Sequence, residues 1–116
     1  MNHFISLDAA IKMTAYFRVE KENILLDTER GKNLLPICET FEVAPFIALL
    51  AQPGCVSIRL YYSMDTEKKV HAVFVGVNNK NEDMLPGHST EIDNSNIIEE
   101  GLRCPPMCPP ASALNS

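Results

Sequence analysis

The chain has 116 residues, 46% hydrophobic and 22% charged, with 15 acids against 10 bases for a net charge of −5. One domain of that length buries roughly two thirds of its unfolded surface without help from disulfides or metal, and no apolar run approaches the roughly 18 residues of a membrane span. Residues 81–100 carry Glu82, Asp83, Glu91, Asp93, Glu99 and Glu100 with no Lys or Arg, a surface that repels phosphate backbones and argues against a nucleic-acid partner.

Residues 1–8 lack a basic stretch followed by an apolar one, so no secretory signal is read there and a cytoplasmic location is expected. Ser6 is a good helix N-cap, and Leu7, Ile11, Thr14 and Ala15, with Phe17 beside them, recur near the 3.6 period. They predict a first helix from about Leu7 to about Lys21 with a packed apolar stripe. Residues 23–33 are polar and hold Gly31, which reads as a connection interrupted by Ile24, Leu25 and Leu26. After Pro36, residues 41–51 place Pro45 in a first helical turn, with Phe41 and Phe46 at the two positions of a hydrophobic staple if Glu42 is the cap. A second helix of about nine residues, ended by Pro53-Gly54, follows.

Residues 55–62 alternate, residues 70–77 are rich in β-branched side chains, and a polar turn lies around residues 65–68. This predicts a hairpin. If Tyr62 faces Val70, one face holds Val56, Ile58, Leu60, Tyr62, Val70, Ala72 and Phe74 and is expected to be core. The other holds Cys55, Ser57, Arg59, Tyr61, His71, Val73, Val75 and Val77. The second strand, apolar on both faces, is expected to be the more central. Residues 78–96 are expected to be a long irregular loop, after which Ile97-Ile98 adds a short edge strand.

The C-terminus, Arg103-Cys104-Pro105-Pro106-Met107-Cys108-Pro109-Pro110, holds four of the eight prolines and two of the four cysteines. Proline fixes φ and lacks an N–H, so this segment cannot extend a helix or form a central strand. In polyproline II geometry Cys104 and Cys108 stand roughly 12 Å apart, beyond the roughly 7 Å Cα separation of a disulfide. The expectation is therefore a pair of reduced thiols; only a turn, for example through a cis X-Pro bond, would join them. With Cys38 and Cys55 added, a four-thiolate zinc site is conceivable, but one C-x3-C and two isolated cysteines lack the paired clips of a zinc ribbon. Cys38 and Cys55 read as small buried apolar residues.

A Cys55–His71 nucleophile and base is ruled out by the hairpin, which sets them about 20 Å apart. Cys38 with either His71 or His88 stays open. Arg59, Tyr61 and His71 share a sheet face, with Tyr61 and His71 as a cross-strand pair. They could hold an anionic ligand, or form a polar patch satisfied by Glu39 or a loop carboxylate. A calcium loop starting at Asn79 fails, with Met84 at the glycine position and Thr90 at the glutamate position. Arg103, Pro106 and Pro109 fit R-x-x-P-x-x-P, the form that docks into aromatic grooves, beside the plainer reading of a tail lying on its own surface.

The strings Cys38-Glu39-Thr40-Phe41, Gln52-Pro53-Gly54-Cys55, residues 59–65, Lys69-Val70-His71-Ala72, Val75-Gly76-Val77-Asn78 with Glu82-Asp83, and Arg103-Cys104-Pro105-Pro106 resemble a group of small bacterial proteins ending in a Cys-Pro-Pro-x-Cys-Pro-Pro tail. The resemblance covers about residues 36–112. That group has no assigned activity, so the resemblance implies neither a substrate nor a catalytic residue.

Together these readings predict an α+β domain over residues 1–102, an antiparallel sheet around the hairpin with two helices largely on one face, and a proline- and cysteine-rich tail over residues 103–116. They favour a non-enzymatic binding or interaction module without a cofactor. Its partner, another protein or a second copy, meets Arg59, Tyr61, His71, Arg103, Pro106 and Pro109. The alternative is a thiol-based metal or redox site using Cys38, Cys55, Cys104 and Cys108.

Overall fold

The computed structural model describes residues 2–86 and 97–116, and these form an α+β fold with antiparallel sheets. Helix α1 spans Leu7–Glu20, and the Ser6 hydroxyl accepts from the Ala9 amide at 3.0 Å, as the cap residue predicts. A single 3-10 turn at Asp27–Glu29 breaks the polar connection that follows. Helix α2 spans Val43–Leu50, and the Phe41 and Phe46 rings meet edge to face with centroids 5.8 Å apart, the staple read from the sequence.

Strands β2 (Ser57–Met64) and β3 (Val70–Val77) form the hairpin. β3 is central, pairing with β2 on one side and with β4 (Asp83–Met84) and β5 (Ile97–Ile98) on the other. The loop expected from residue 78 thus begins as a second hairpin, in which Asn78 Oδ1 accepts from the Lys80 and Glu82 amides. The rest of that loop, including His88, lies outside the described residues. A separate ribbon pairs β1 (Cys38–Thr40) with β6 (Leu102–Cys104).

The hairpin register differs from the expected one by two residues. Tyr62 faces Ala72, and it is Met64 that faces Val70. Asp65 is the physical reason: its Oδ1 accepts from the Glu67 and Lys69 amides at 2.8 and 3.0 Å, and Lys68 takes a left-handed φ of 66°. This closes a tighter turn than composition suggested. A slip of two leaves every side chain on its expected face, but it separates Tyr61 from His71, which face Val73 and Ser63.

The predicted core face is covered only in part. Phe74 packs edge to face on Phe41 and Phe46, at centroid distances of 5.4 and 5.1 Å. Edge-to-face pairs of this kind each contribute about 0.5–1.5 kcal/mol beyond area burial. Leu34, Leu49 and Ile98 are buried, as are Val75 and Val77 on the opposite face. Val56, Ile58, Leu60 and Tyr62 stay exposed, Tyr62 at 84%. The eight-residue α2 is too short to reach them, and α1, which buries none of its residues, does not close over them.

Arg103 ties the ribbon to the sheet. Its guanidinium donates to the Val70 carbonyl, to Asn33 O at 3.3 Å and to Leu34 O at 3.4 Å, and lies 3.5 Å from Glu39 Oε1. Beside this pair, a Cβ on Gly101 would lie 2.5 Å from Phe41 Cζ and 2.8 Å from Glu39 Oε2. Only glycine allows that approach.

Candidate functional site

A concavity follows from the incomplete cover. A trough of about 500 Å3 opens between α1, the segment leading into β1, and the hairpin, with Phe17, Pro36, Leu60, Tyr62, Val70 and Phe74 on its walls. Phe17 from α1 and the β2–β3 side chains that alternation sends to one face make its lining mainly apolar. Cys38, Glu39 and His71 supply the polar positions at its margin. Glu39 is nine-tenths buried, and its Oε2 has no hydrogen-bond partner among the described residues.

His71, at the start of β3, stands between two carboxylates. Its Nε2 shares a 2.8 Å hydrogen bond with Asp65 Oδ2, and its Nδ1 lies 3.3 Å from Glu99 Oε1, an ion-pair distance without hydrogen-bond alignment. The His71 bond, with the turn amides of Lys69 and Glu67 behind it, holds the Asp65 carboxyl below its usual range. Among the described residues no hydrogen bond joins His71 to the Cys38 thiol, so no nucleophile and base are assembled, although both residues border the trough.

No family model, curated protein or solved structure matches this chain.

Arg59 and Tyr61 are engaged by the chain itself. Both donate to the Asp83 carboxylate, and Arg59 also donates to Asn81. The Tyr61 hydroxyl is the largest influence holding Asp83 below the ordinary carboxylate range, with Arg59 adding to it, and the same bond raises Tyr61 above the usual phenol value. The patch is thus satisfied by a carboxylate from the segment read as a loop, where the structure places Asp83 in β4. His71 does not join it.

The tail corrects the expectation of an extended segment with reduced thiols. The Cys104–Pro105 and Pro105–Pro106 bonds are both cis, the Met107 amide returns to Arg103 O at 2.7 Å, and Cys104 and Cys108 form a disulfide with Cα atoms 4.4 Å apart. The polyproline II spacing behind the earlier distance does not apply to a chain that reverses at once. Arg103 belongs to β6 and is held by four partners, while Pro106 and Pro109 are exposed. The three positions of the groove-docking motif therefore do not lie along one free ligand strand.

The four cysteines fall into two groups. Cys38 faces Cys104 across the β1–β6 ribbon. Cys55 bonds Ser57 O at 3.4 Å and lies against Gly76. While Cys104 and Cys108 are bonded to each other, neither is a free thiolate ligand. Among the described residues no group of three or more His, Cys, Asp or Glu is arranged to hold a metal ion.

Sequence reasoning missed Asp65, Asp83 and Phe17 as site-forming residues. An aspartate opening the hairpin turn was a legible signal for Asp65. The trough itself depends on where α1 sits, which no local pattern encodes.

Proposed function

We propose that this protein is a non-enzymatic interaction module whose apolar trough and exposed α1 face associate with a second copy of the chain. The observation that carries this reading is the surplus of exposed surface. The chain exposes 8606 Å2, where a compact monomer of 12.9 kDa exposes about 6,300 Å2. Its radius of gyration is 16.7 Å, against about 13.4 Å for a compact domain of this length. The surplus over a compact monomer is about 2,300 Å2. A stable interface needs about 800 Å2 from each partner.

A second copy fits because one chain carries both halves of a self-complementary contact. The trough is concave and apolar, while α1 presents Met13 and Tyr16, one turn apart, at 66% and 71% exposure. An isologous pair lets each copy's helix face meet the other's trough. The net charge of −5 weakens such a pair at low salt without preventing it, since screening lengths are about 8 Å at physiological ionic strength.

The test is a dilution series of the full chain followed by light scattering, with Tyr62→Glu beside it. The expected result is an associating wild type and at least a tenfold weaker variant, because a carboxylate in an apolar contact is left unsolvated. Equal association of the two chains, or a wild type that is monomeric throughout, would reject the reading. A cytoplasmic location is part of this proposal. In that compartment a disulfide is usually transient and redox-active.

A further inference from the structure

The β1–β6 ribbon sets Cys38 directly opposite Cys104, and Cys104 is already bonded to Cys108. Opposed residues of an antiparallel pair project to one face with Cβ atoms about 4.5–5.5 Å apart. Their Cα separation of about 4.5–5.5 Å falls within the range a disulfide spans, and an approach of up to about 1 Å brings the Cβ atoms to the roughly 3.5–4.5 Å it requires. Burial makes the three sulfurs unequal. Cys104 is 1% exposed, Cys38 is a half-buried free cysteine, and Cys108 is exposed. An external thiol can reach the Cys108 side of the bond, whereas Cys104 is approached from within by its cross-strand neighbour. Cys55, the other free cysteine, is held against Gly76 and Ser57 and has no such neighbour.

We propose that Cys38 is the third member of a thiol–disulfide exchange site, and that the protein interconverts between a Cys104–Cys108 and a Cys38–Cys104 disulfide. The Cys38 thiolate attacks Cys104 Sγ. A Cys38–Cys104 bond forms, the Cys104–Cys108 bond breaks, and its electron pair leaves on Cys108 Sγ, which takes up the proton that Cys38 gave to solvent. Nothing is oxidised or reduced overall, so the step needs no outside reagent. Its product is a thiol on the exposed tail. Cys108 then becomes the group that meets a low-molecular-weight disulfide: its thiolate attacks one sulfur of oxidised glutathione, a mixed disulfide forms, and one glutathione thiolate departs.

The exchange separates cleanly in a digest. Trypsin cuts after Lys32, Arg59 and Arg103, so residues 33–59 carry Cys38 and residues 104–116 carry Cys104 and Cys108. A Cys38–Cys104 bond cross-links the two peptides, and the Cys104–Cys108 bond does not. With Cys55→Ser removing the other thiol, the full chain also carrying Cys108→Ser is held with oxidised glutathione at pH 8, acid-quenched, alkylated and digested. The cross-linked pair should account for more than half of Cys104; Cys38 and Cys104 capped separately by glutathione, without the cross-link, would overturn the proposal. A second measurement needs no change in the tail. Folded Cys55→Ser protein is labelled with N-ethylmaleimide with and without Cys38→Ser, and labelling of Cys108 should fall at least tenfold when Cys38 is absent. Equal labelling of the two, or no Cys108 labelling in either, would overturn it regardless of how the first variant folds.

Discussion

Replacing Arg103 by methionine separates a structural arginine from one displayed to a foreign receptor. The side chains of Arg103 and Glu39 are only 12% and 9% exposed, and the guanidinium also serves the carbonyls of Val70, Asn33 and Leu34. Methionine keeps much of the apolar stem but leaves the Glu39 carboxylate buried without a counter-charge. Breaking a buried pair from one side costs about 3–5 kcal/mol. For 116 residues, an unfolding entropy of about 2.1 cal/mol/K per residue makes 1 kcal/mol worth about 4 °C, so Tm should fall by about 12–20 °C. Glu39→Gln combined with Arg103→Met removes the stranded charge and should recover at least 1 kcal/mol of the loss. Urea unfolding followed by circular dichroism reads both. A single variant within 0.5 kcal/mol of wild type, or a double variant no better than the single, would refute the reasoning and return Arg103 to the candidates for an external contact.

Three further outcomes follow from the same contacts. Asp65 and Asp83 sit below their ordinary values in the fold, so their stabilisation is complete above pH about 4 and is lost as pH falls through the lowered values. Tyr61, raised above 10.0, adds stability below pH about 10 that is lost as pH rises further; Asp83→Asn should flatten both limbs of a urea-midpoint profile, and a profile unchanged at either end would count against the assignment. Gly101→Ala forces a Cβ against the Phe41 ring and should cost about 1–3 kcal/mol. Gly76→Ala meets the far ends of the Gln52 and Cys55 side chains and should cost less by thermal melt; the reverse order would contradict the packing described. Reducing the Cys104–Cys108 bond opens a loop of only five residues, which removes about 2 kcal/mol in the chain-entropy account, or about 8 °C by calorimetry with and without reductant; loss of the whole fold would show that the ribbon depends on it.

The elements were legible where local chemistry decides them. Ser6 starts α1, the Phe41–Phe46 staple starts α2, and the alternation of residues 57–64 against a β-branched partner makes the hairpin. The register slipped because the Asp65 carboxylate closes the turn through two backbone amides, a detail that hydrophobic pattern does not weigh. The ribbon between β1 and β6 was invisible for a different reason. Three-residue strands separated by more than sixty positions in the sequence carry almost no periodic signal, and the meeting of Cys38 with Cys104 depends wholly on that pairing. The tail disulfide was missed by assuming one backbone geometry for the prolines. The trough was missed because hydrophobic pattern marks a face that wants cover but does not say whether the chain provides it.

Sedimentation equilibrium of the full chain between about 5 and 200 μM tests most directly whether a second copy supplies that cover. A mass approaching twice 12.9 kDa at the upper end, falling toward the monomer on dilution and lowered across the series by Tyr62→Glu, is the predicted result. A single species at the monomer mass up to 200 μM would contradict it.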